Sequence, residues 1–407
     1  MNAATVSLII VSRHRAASLL RTIKAVQLQD HAQLELIVVA DPDAAKMVQG
    51  LGLPIKVVVF DQPNIAAARN AGISVAAGDL VAFLDDDAVP EPTWISRLTE
   101  AFGTASVRMA TGFVRGRNGI SDQWRACDVD QFGWDHALRV DRHAVTLLAG
   151  TRQRTVKAQG TNCAFRRGDL IALGGFDDGF RFYLDDADIS LRLADLGGLT
   201  AVVPGAVVQH GFAASTRRRA DRVPLGLNDI GASCACFLRR HAPDADMEVQ
   251  RLTHLAAQRA RLLRHMVRGG LEPGDIAPLL AGFNKGWVQG AALVPSARSP
   301  LVASRAEFQP LRTMPRKGVV IAGRIWQRRE LLRRARVDAA LGKIVTVLCL
   351  SPTTWYHRHS FESDGFWLQQ GGTFGISVRG AGILRRSGFG RRVAEEAARI
   401  AACRPIS

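Results

Sequence analysis

The sequence is poor in lysine, in aromatic residues and in long apolar runs, and each shortage excludes something. Only seven of its 53 Lys and Arg residues are Lys, so the formal charge of +16 is mostly guanidinium, a group suited to phosphate recognition. An Arg-rich codon bias would produce much of that surplus by itself, so charge alone names no partner. Aromatic residues make up 6% of the chain, too few for a module that binds nucleic acid by base stacking. No apolar stretch approaches the roughly 18–20 residues needed to cross a bilayer. Val6–Val11 is apolar but short and is followed by Arg13, so it lacks the core and cleavage site of a secretory signal. The expectation is a cytoplasmic protein whose membrane association, if any, is peripheral. The six Cys (127, 163, 234, 236, 349 and 403) form no C-x-x-C pair, which argues against a zinc ribbon or a redox pair and for reduced, buried thiols.

What is present is globular: 47% hydrophobic and 22% charged residues over 407 positions, enough for two or three domains. The first ninety residues alternate short β-branched runs with Ala-rich helical stretches, the pattern of parallel βαβ units. Strands are expected at Val6–Val11, Leu34–Ala40, Ile55–Phe60 and Leu80–Leu84, and helices at Ala16–Gln29 and Asn64–Ala76. Ligands of open sheets bind beyond the carboxyl ends of the strands. Those ends read Ser12-Arg13-His14-Arg15, Asp41-Pro42-Asp43, Asp61-Gln62-Pro63-Asn64 and Asp85-Asp86-Asp87, all polar or charged.

Three adjacent carboxylates repel one another unless a cation offsets them, and hard oxygen ligands suit Mg²⁺ or Mn²⁺. A second cluster, Asp185, Asp186 and Asp188, opens a helix beside Phe180, Phe182 and Tyr183. Helix capping explains one or two of these acids and leaves room for a catalytic carboxylate. His210 ends the apolar run Val202–Val208 before Ser215 and Arg217-Arg218-Arg219; it is either a strand-end side chain or a metal ligand, and the arginines are either a solvated loop or a diphosphate clamp.

Six segments occur in the order and spacing typical of one family: Leu36–Asp41, Asn64–Gly72, Gly78–Asp87, Gly160–Asn162, Gly174–Asp177 and Leu184–Ile189. Over about residues 5–215 the chain resembles the family-2 glycosyltransferases. The resemblance implies a Rossmann-like fold of the A type with a mostly parallel mixed sheet. It also implies inverting transfer of a sugar from a nucleotide-diphosphate donor to a saccharide or lipid-linked hydroxyl, assisted by Mg²⁺ or Mn²⁺, in surface polysaccharide or glycolipid synthesis. In that reading Ser12, Arg13 and Asp41 meet the nucleobase side of the donor, and Asp85, Asp86 and Asp87 carry the D-x-D, with Asp85 and Asp87 toward ribose and metal. His210 is a further candidate ligand. Asp186 is the general base with Asp185 as its substitute. Arg69 and Asn70 lie on the helix the family places near the nucleotide, although a plain helix-surface role suits Arg69 as well. The sequence departs from the pattern at Ala40, where an acidic residue is usual, and at Asp185, where Glu is commoner.

Nucleotidyl transfer is the alternative enzyme class, but Ser12–Arg15 lacks the Gly-rich loop it would use; an Arg-rich nucleic-acid-binding protein would leave the acidic motifs without a purpose. Three regions are expected: a catalytic domain at 1–222, a helical Arg-rich extension at 223–343, and a tail at 344–407 with a strand at Ile344–Leu350. In the extension, Glu248–Arg268 reads as an amphipathic helix with Leu252, Leu255, Leu262, Leu263, Met266 and Val267 on one stripe and Arg251, His254, Arg261, His265 and Arg268 opposite. Such a helix either packs on the catalytic domain or lies on an anionic membrane surface. Gln327–Leu341 reads as a second Arg-rich helix, Val294–Pro300 as a linker, and the aromatic, Gly-rich segment 355–375 as an irregular lid or loop.

Overall fold

The computed structural model describes residues 4–211, 215, 217–293, 298–378, 382 and 387–405; the first part of the expected linker Val294–Pro300 lies outside them. The N-terminal half contains β1 (Val6–Ser12), α1 (Ala16–Val26), β2 (Leu34–Ala40), α2 (Pro42–Gln49), β3 (Ile55–Val59), α3 (Ile65–Ile73), β4 (Leu80–Asp85) and β5 (Ala88–Pro90). It continues with α4 (Trp94–Glu100), β6 (Val107–Arg115), β7 (Asp122–Trp124), β8 (Cys127–Asp130), β9 (Asp135–Ala137), β10 (Thr146–Ala149), β11 (Arg154–Val156), β12 (Cys163–Arg166), α5 (Arg167–Ala172), α6 (Asp185–Asp195) and β13 (Leu199–His210).

The main sheet runs β10-β13-β6-β12-β4-β1-β2-β3, with β5 added on β13 and β7 on β6. Strands β3, β2, β1 and β4 are parallel to one another. Because β12 is antiparallel to both β4 and β6, while β6 and β13 are parallel, β1, β4, β6 and β13 all end at the same edge. Alternate residues feed two cores. Val6, Leu8 and Ile10 pack with Leu19, Ile23 and Trp94 on one face, and Ile9 packs with Ala66, Ile73 and Phe83 on the other. Cover on both faces explains why these strands are continuously apolar. The one charge inside β2, Glu35, is held by Lys56 at 2.8 Å, Ser7 Oγ and the amide of Ala77.

Helices α7 (Asn228–His241), α8 (Met247–Val267) and α9 (Pro273–Ala292) follow. Helices α7 and α9 cross so closely that a Cβ at Gly286 or Gly290 would collide with the carbonyls of Asn228 and Ala232. The bundle buries Phe237, Leu262, Phe283 and Trp287 against Phe180, Leu184 and Leu191 of the catalytic domain. Helix α8 is oriented differently from its expected pattern. Leu255 and Leu262 face inward, but Leu252 and Val267 face solvent, and His254 is buried, stacked 4.1 Å from Trp134 and donating from Nε2 to Phe132 O. Docking on the 130–134 turn thus draws part of the expected polar face inward.

The C-terminal region holds β14 (Gly318–Arg324), α10 (Arg328–Ala340), β15 (Ile344–Ser351), β16 (Arg358–Phe361), β17 (Trp367–Gly372) and α11 (Phe389–Ala401), with sheet order β14-β15-β17-β16. Strand β14 was not anticipated, and the expected division at 343/344 falls inside this one unit. The segment 355–375 is not an irregular lid throughout: it contributes two strands, because Trp367 and Leu368 are core residues paired to β15. His357 and His359 are buried in a network with Gln369, Glu396, Arg392 and Arg399. This unit grips the catalytic domain. Glu91, just after β5, pairs with Arg404 at 2.7 and 2.9 Å, and Arg404 lies over the Trp367 ring. Phe361, Trp367 and Ile344 pack on Ala25, Leu28 and Val89.

Two stability predictions follow from these buried charges. Arg404→Met leaves Glu91 buried and undercompensated and should cost about 3 kcal/mol in denaturant unfolding, while adding Glu91→Gln should recover most of the loss. For Asp188 on α6, burial raises the carboxyl, but Arg192, His241 and Arg240 outweigh it and hold it at about 2, below its ordinary 3.8. The ionised form therefore stabilises the fold above about pH 4, and that contribution disappears as pH falls toward 2. Asp188→Asn should be less stable at neutral pH and lose less stability between pH 4 and 2, as read by unfolding midpoints.

Candidate active site

The shared carboxyl edge opens into a cleft of about 650 Å³. Its floor is set by three loops. After β1, His14 adopts a left-handed backbone (φ 56°), and its amide donates to Asp41 Oδ2 at 2.7 Å. Asp41 also caps α2 by accepting from Ala44 N, so its side chain is buried between two loops and does not line the cleft. Arg13 and Ser12 do line it; Arg13 is braced by Asp61 at 2.8 Å and Ser12 Oγ donates to Asp86.

After β4 the three aspartates separate. Asp85 and Asp87 face the cleft, whereas Asp86 turns into the protein, held by Ser12 at 2.7 Å and by Arg15 at 2.5 Å. Burial pushes Asp86 up to about 7 despite Arg15. Of the three acids in the D-x-D segment, Asp86 is thus the one whose side chain ties β4 to β1 and α1 and does not line the cleft. Strand β5 then pairs antiparallel with β13, placing Ala88 opposite His210. His210 Nε2 comes to 3.1 Å from Asp87 Oδ1 and 3.6 Å from Asp85 Oδ2, and one ligand atom from each of the three lies within 4.8 Å of the others. Two carboxylates and an imidazole, converging at the wall of a polar cleft, form a donor set that fits a divalent cation. Trp124, on β7, stacks 6.5 Å from the His210 ring.

The facing wall is the start of α6. Leu184 has a left-handed backbone (φ 67°), the turn that presents Asp185 and Asp186. The two are not equivalent. Asp185 is buried against Arg69, whose guanidinium lies over the rings of Phe83 and Phe176 at 5.6 and 5.1 Å. Burial pushes Asp185 up to about 6, with Arg69 opposing and Asp186 adding to the shift. Asp186 is half-buried, and its Oδ1 accepts from the amide of the next residue, Ala187, at 2.9 Å. Its negative charge, with that of Asp135, outweighs burial and raises Lys157. Arg69 is thus an interior anchor, not a helix-surface residue. Asn70 on the same helix points elsewhere, bonding both the amide and carbonyl of Phe176. Asn162 likewise serves the fold, joining Trp94, Phe113 and Ala206 around an irregularity in the β6–β13 pairing.

The motifs left Trp124 and Gln159 unmarked, and Arg15, Thr161 and Phe182 appeared only within a loop or segment without a role of their own. Trp124 belongs to no motif; pairing with Val114 brings it to the edge. Arg217, braced by Asp229 at 2.6 Å, and Arg218 complete the rim.

A family model described as glycosyltransferase like family 2 matches residues 3–222, just over half of the chain. The chain belongs to glycosyltransferase family 2. Among curated relatives within reach of this family-2 chain, the succinoglycan biosynthesis protein ExoM of Rhizobium meliloti (strain 1021) is 34% identical over 114 residues, 26% of this chain and 37% of that protein. The glucosyl-dolichyl phosphate glucuronosyltransferase of Haloferax volcanii is 27% identical over 177 residues, 41% of this chain and 53% of that protein. The matches thus span about a third to a half of these relatives' lengths. Among solved structures, the mannosyltransferase PcManGT from Pyrobaculum calidifontis in complex with GDP-Man and Mn²⁺ is 18% identical, covering 72% of this chain and 88% of that one with a TM-score of 0.42.

The unequal carboxylates make a stability prediction. Arg69→Met should cost about 3 kcal/mol, because it leaves Asp185 buried without its counter-charge. Asp186→Asn, on the cleft wall, should change the unfolding midpoint little. Equal losses in the two variants would overturn the distinction drawn between Asp185 and Asp186.

Proposed function

We propose that this chain is a metal-dependent inverting glycosyltransferase. It moves a sugar from a nucleotide-diphosphate donor to a hydroxyl of a saccharide or lipid-linked acceptor in surface polysaccharide or glycolipid synthesis. The observation that carries the reading is the placement of Asp85, Asp87 and His210 on one wall of the cleft and Asp186 on another, in a chain of this family. Asp85, Asp87 and His210 would hold Mg²⁺ or Mn²⁺. A divalent cation bound there supplies positive charge to the diphosphate as it leaves.

The chain's own residues do the rest. Ser12 and Arg13 border the nucleoside end of the cleft, and Asp41 acts by fixing their loop. Arg218, whose guanidinium is within electrostatic reach of Asp87, adds positive charge beside the diphosphate. Asp186 accepts the proton of the acceptor hydroxyl as its oxygen bonds to the anomeric carbon and the bond to the phosphate breaks, a single displacement that inverts the centre. Asp185 keeps Arg69 in place beneath Asp186 and is a positioning residue. No helix among the described residues is long and apolar enough to cross a membrane. A cytoplasmic location with peripheral contact to an anionic membrane surface suits a lipid-linked acceptor.

The test measures donor binding and transfer separately. With Mn²⁺ or Mg²⁺ present, the correct nucleotide sugar should raise the thermal midpoint of wild type and of Asp186→Asn, but not of Asp87→Ala. Transfer should fall about 100- to 10,000-fold in Asp186→Asn, the contribution of a general base. Undiminished turnover in Asp186→Asn would remove it as the base, and an unchanged metal requirement in Asp87→Ala would remove the metal site.

A further inference from the structure

The described residues of segment 215–223 line two clefts. Ser215, Arg217 and Arg218 face the acidic one; Asp221 and Arg222 face a second of about 420 Å³, whose other wall is the C-terminal half of α8 with Arg261, Arg264, His265 and Arg268. Asp221 is the single carboxylate among the lining residues, and Arg219 already engages it at 2.8 Å. Arg222 is carried into this wall by a left-handed backbone (φ 74°), a conformation unfavourable for a non-glycine residue.

Guanidinium groups stay protonated in proteins, so several on one concave surface repel one another. Burial, followed by the neighbouring guanidinium groups, holds Arg222 and His265 below their ordinary values; Arg261, where Tyr183 opposes the same two causes, is also lowered. An anion in the cleft would relieve that repulsion. The geometry also indicates where the anion comes from. Val267 is 83% exposed and stands on α8 between Arg264 and Arg268, and Leu225, two residues beyond Val223, is 55% exposed. An apolar side chain flanked by arginines matches a bilayer interface, where apolar groups enter the acyl boundary and basic groups meet phosphates.

We propose that this cleft receives the phosphate of an anionic lipid headgroup, docking the protein on a membrane through the C-terminal half of α8. The docking site shares a chain segment with the rim of the acidic cleft, so a lipid-linked acceptor would be delivered beside the site of transfer. It rests on the membrane partner proposed above and gives it a place on the molecule. Vesicle binding is measured without donor or acceptor, so its failure would leave the transfer reading standing.

The experiment compares the full chain with two double variants that remove equal charge. Arg264→Ala/Arg268→Ala empties the proposed site; Arg333→Ala/Arg336→Ala removes two exposed arginines from α10. Each is sedimented with phosphatidylcholine vesicles, with and without phosphatidylglycerol. Wild type should bind only the anionic vesicles and be released by high salt. The α8 variant should bind on the order of 30-fold more weakly, at about 1 kcal/mol per basic residue, while the α10 variant binds as wild type does. Unchanged thermal midpoints verify folding. No binding by wild type at low salt, or equal losses in both variants, would overturn the proposal. A midpoint raised by inorganic phosphate, without vesicle binding, would assign the cleft to free phosphate and overturn the lipid assignment.

Discussion

The metal-candidate wall of the cleft depends on one short antiparallel contact, the pairing of Ala88–Pro90 with the end of the strand that finishes at His210. Without it, the turn after β4 would present carboxylates to solvent and His210 would be an ordinary strand end. With it, two acids and an imidazole meet within 4.8 Å, and the chain accepts their mutual repulsion because a cation can offset it. The pairing is in turn held from behind. Glu91, immediately past β5, is clamped by Arg404 and Arg115, and Gln209, beside His210, donates to His359 O of the C-terminal unit. The last ninety residues therefore brace the strands that carry the metal candidates, although none of their described residues lines the cleft.

Charge is divided in the same spatial way. The acids gather where strands end, and arginines either neutralise them in the interior or collect on the far side of the 215–223 segment. Arg15, Arg69, Arg192 and Arg240 each face a buried aspartate. These pairs explain how three buried carboxylates, Asp86, Asp185 and Asp188, are tolerated in the interior, since a charge removed from water needs a partner at hydrogen-bond distance. The arginines thus have at least two places: some are interior counter-charge that cancels in the net sum, and others, part of the surplus of 16, line a basic cleft at α8.

The catalytic half was legible to within a residue or two at most of its early elements. Leu34–Ala40 and the start of α6 at Asp185 stand where the pattern placed them, because strands covered on both faces must be continuously apolar and helix starts favour acids. Legibility failed where neighbours in space decide orientation. Asp41, Asp86 and Asn70 look like binding residues in their motifs, yet their side chains bond backbone and buried partners instead. His254 looked like part of a polar face until the turn at 130–134, more than a hundred residues earlier in the chain, closed over it with Phe132 and Trp134. Strand β14 and the pairing of Trp367 depend on partners far along the chain, and no local period reveals them.

By itself the sequence determined the alternation of buried strands and helices, the acidic character of their ends and the family to which the chain belongs. Those properties are local, set by which side chains can leave water and which turns they can adopt. Only the tertiary structure decided which acids of the first cluster face the cleft, that His210 joins Asp85 and Asp87, and that, of the two acids lining the opposite wall, Asp185 is paired with Arg69. The reason is physical: a carboxylate's role follows from its burial and its counter-charge, and both are supplied by residues distant in the chain.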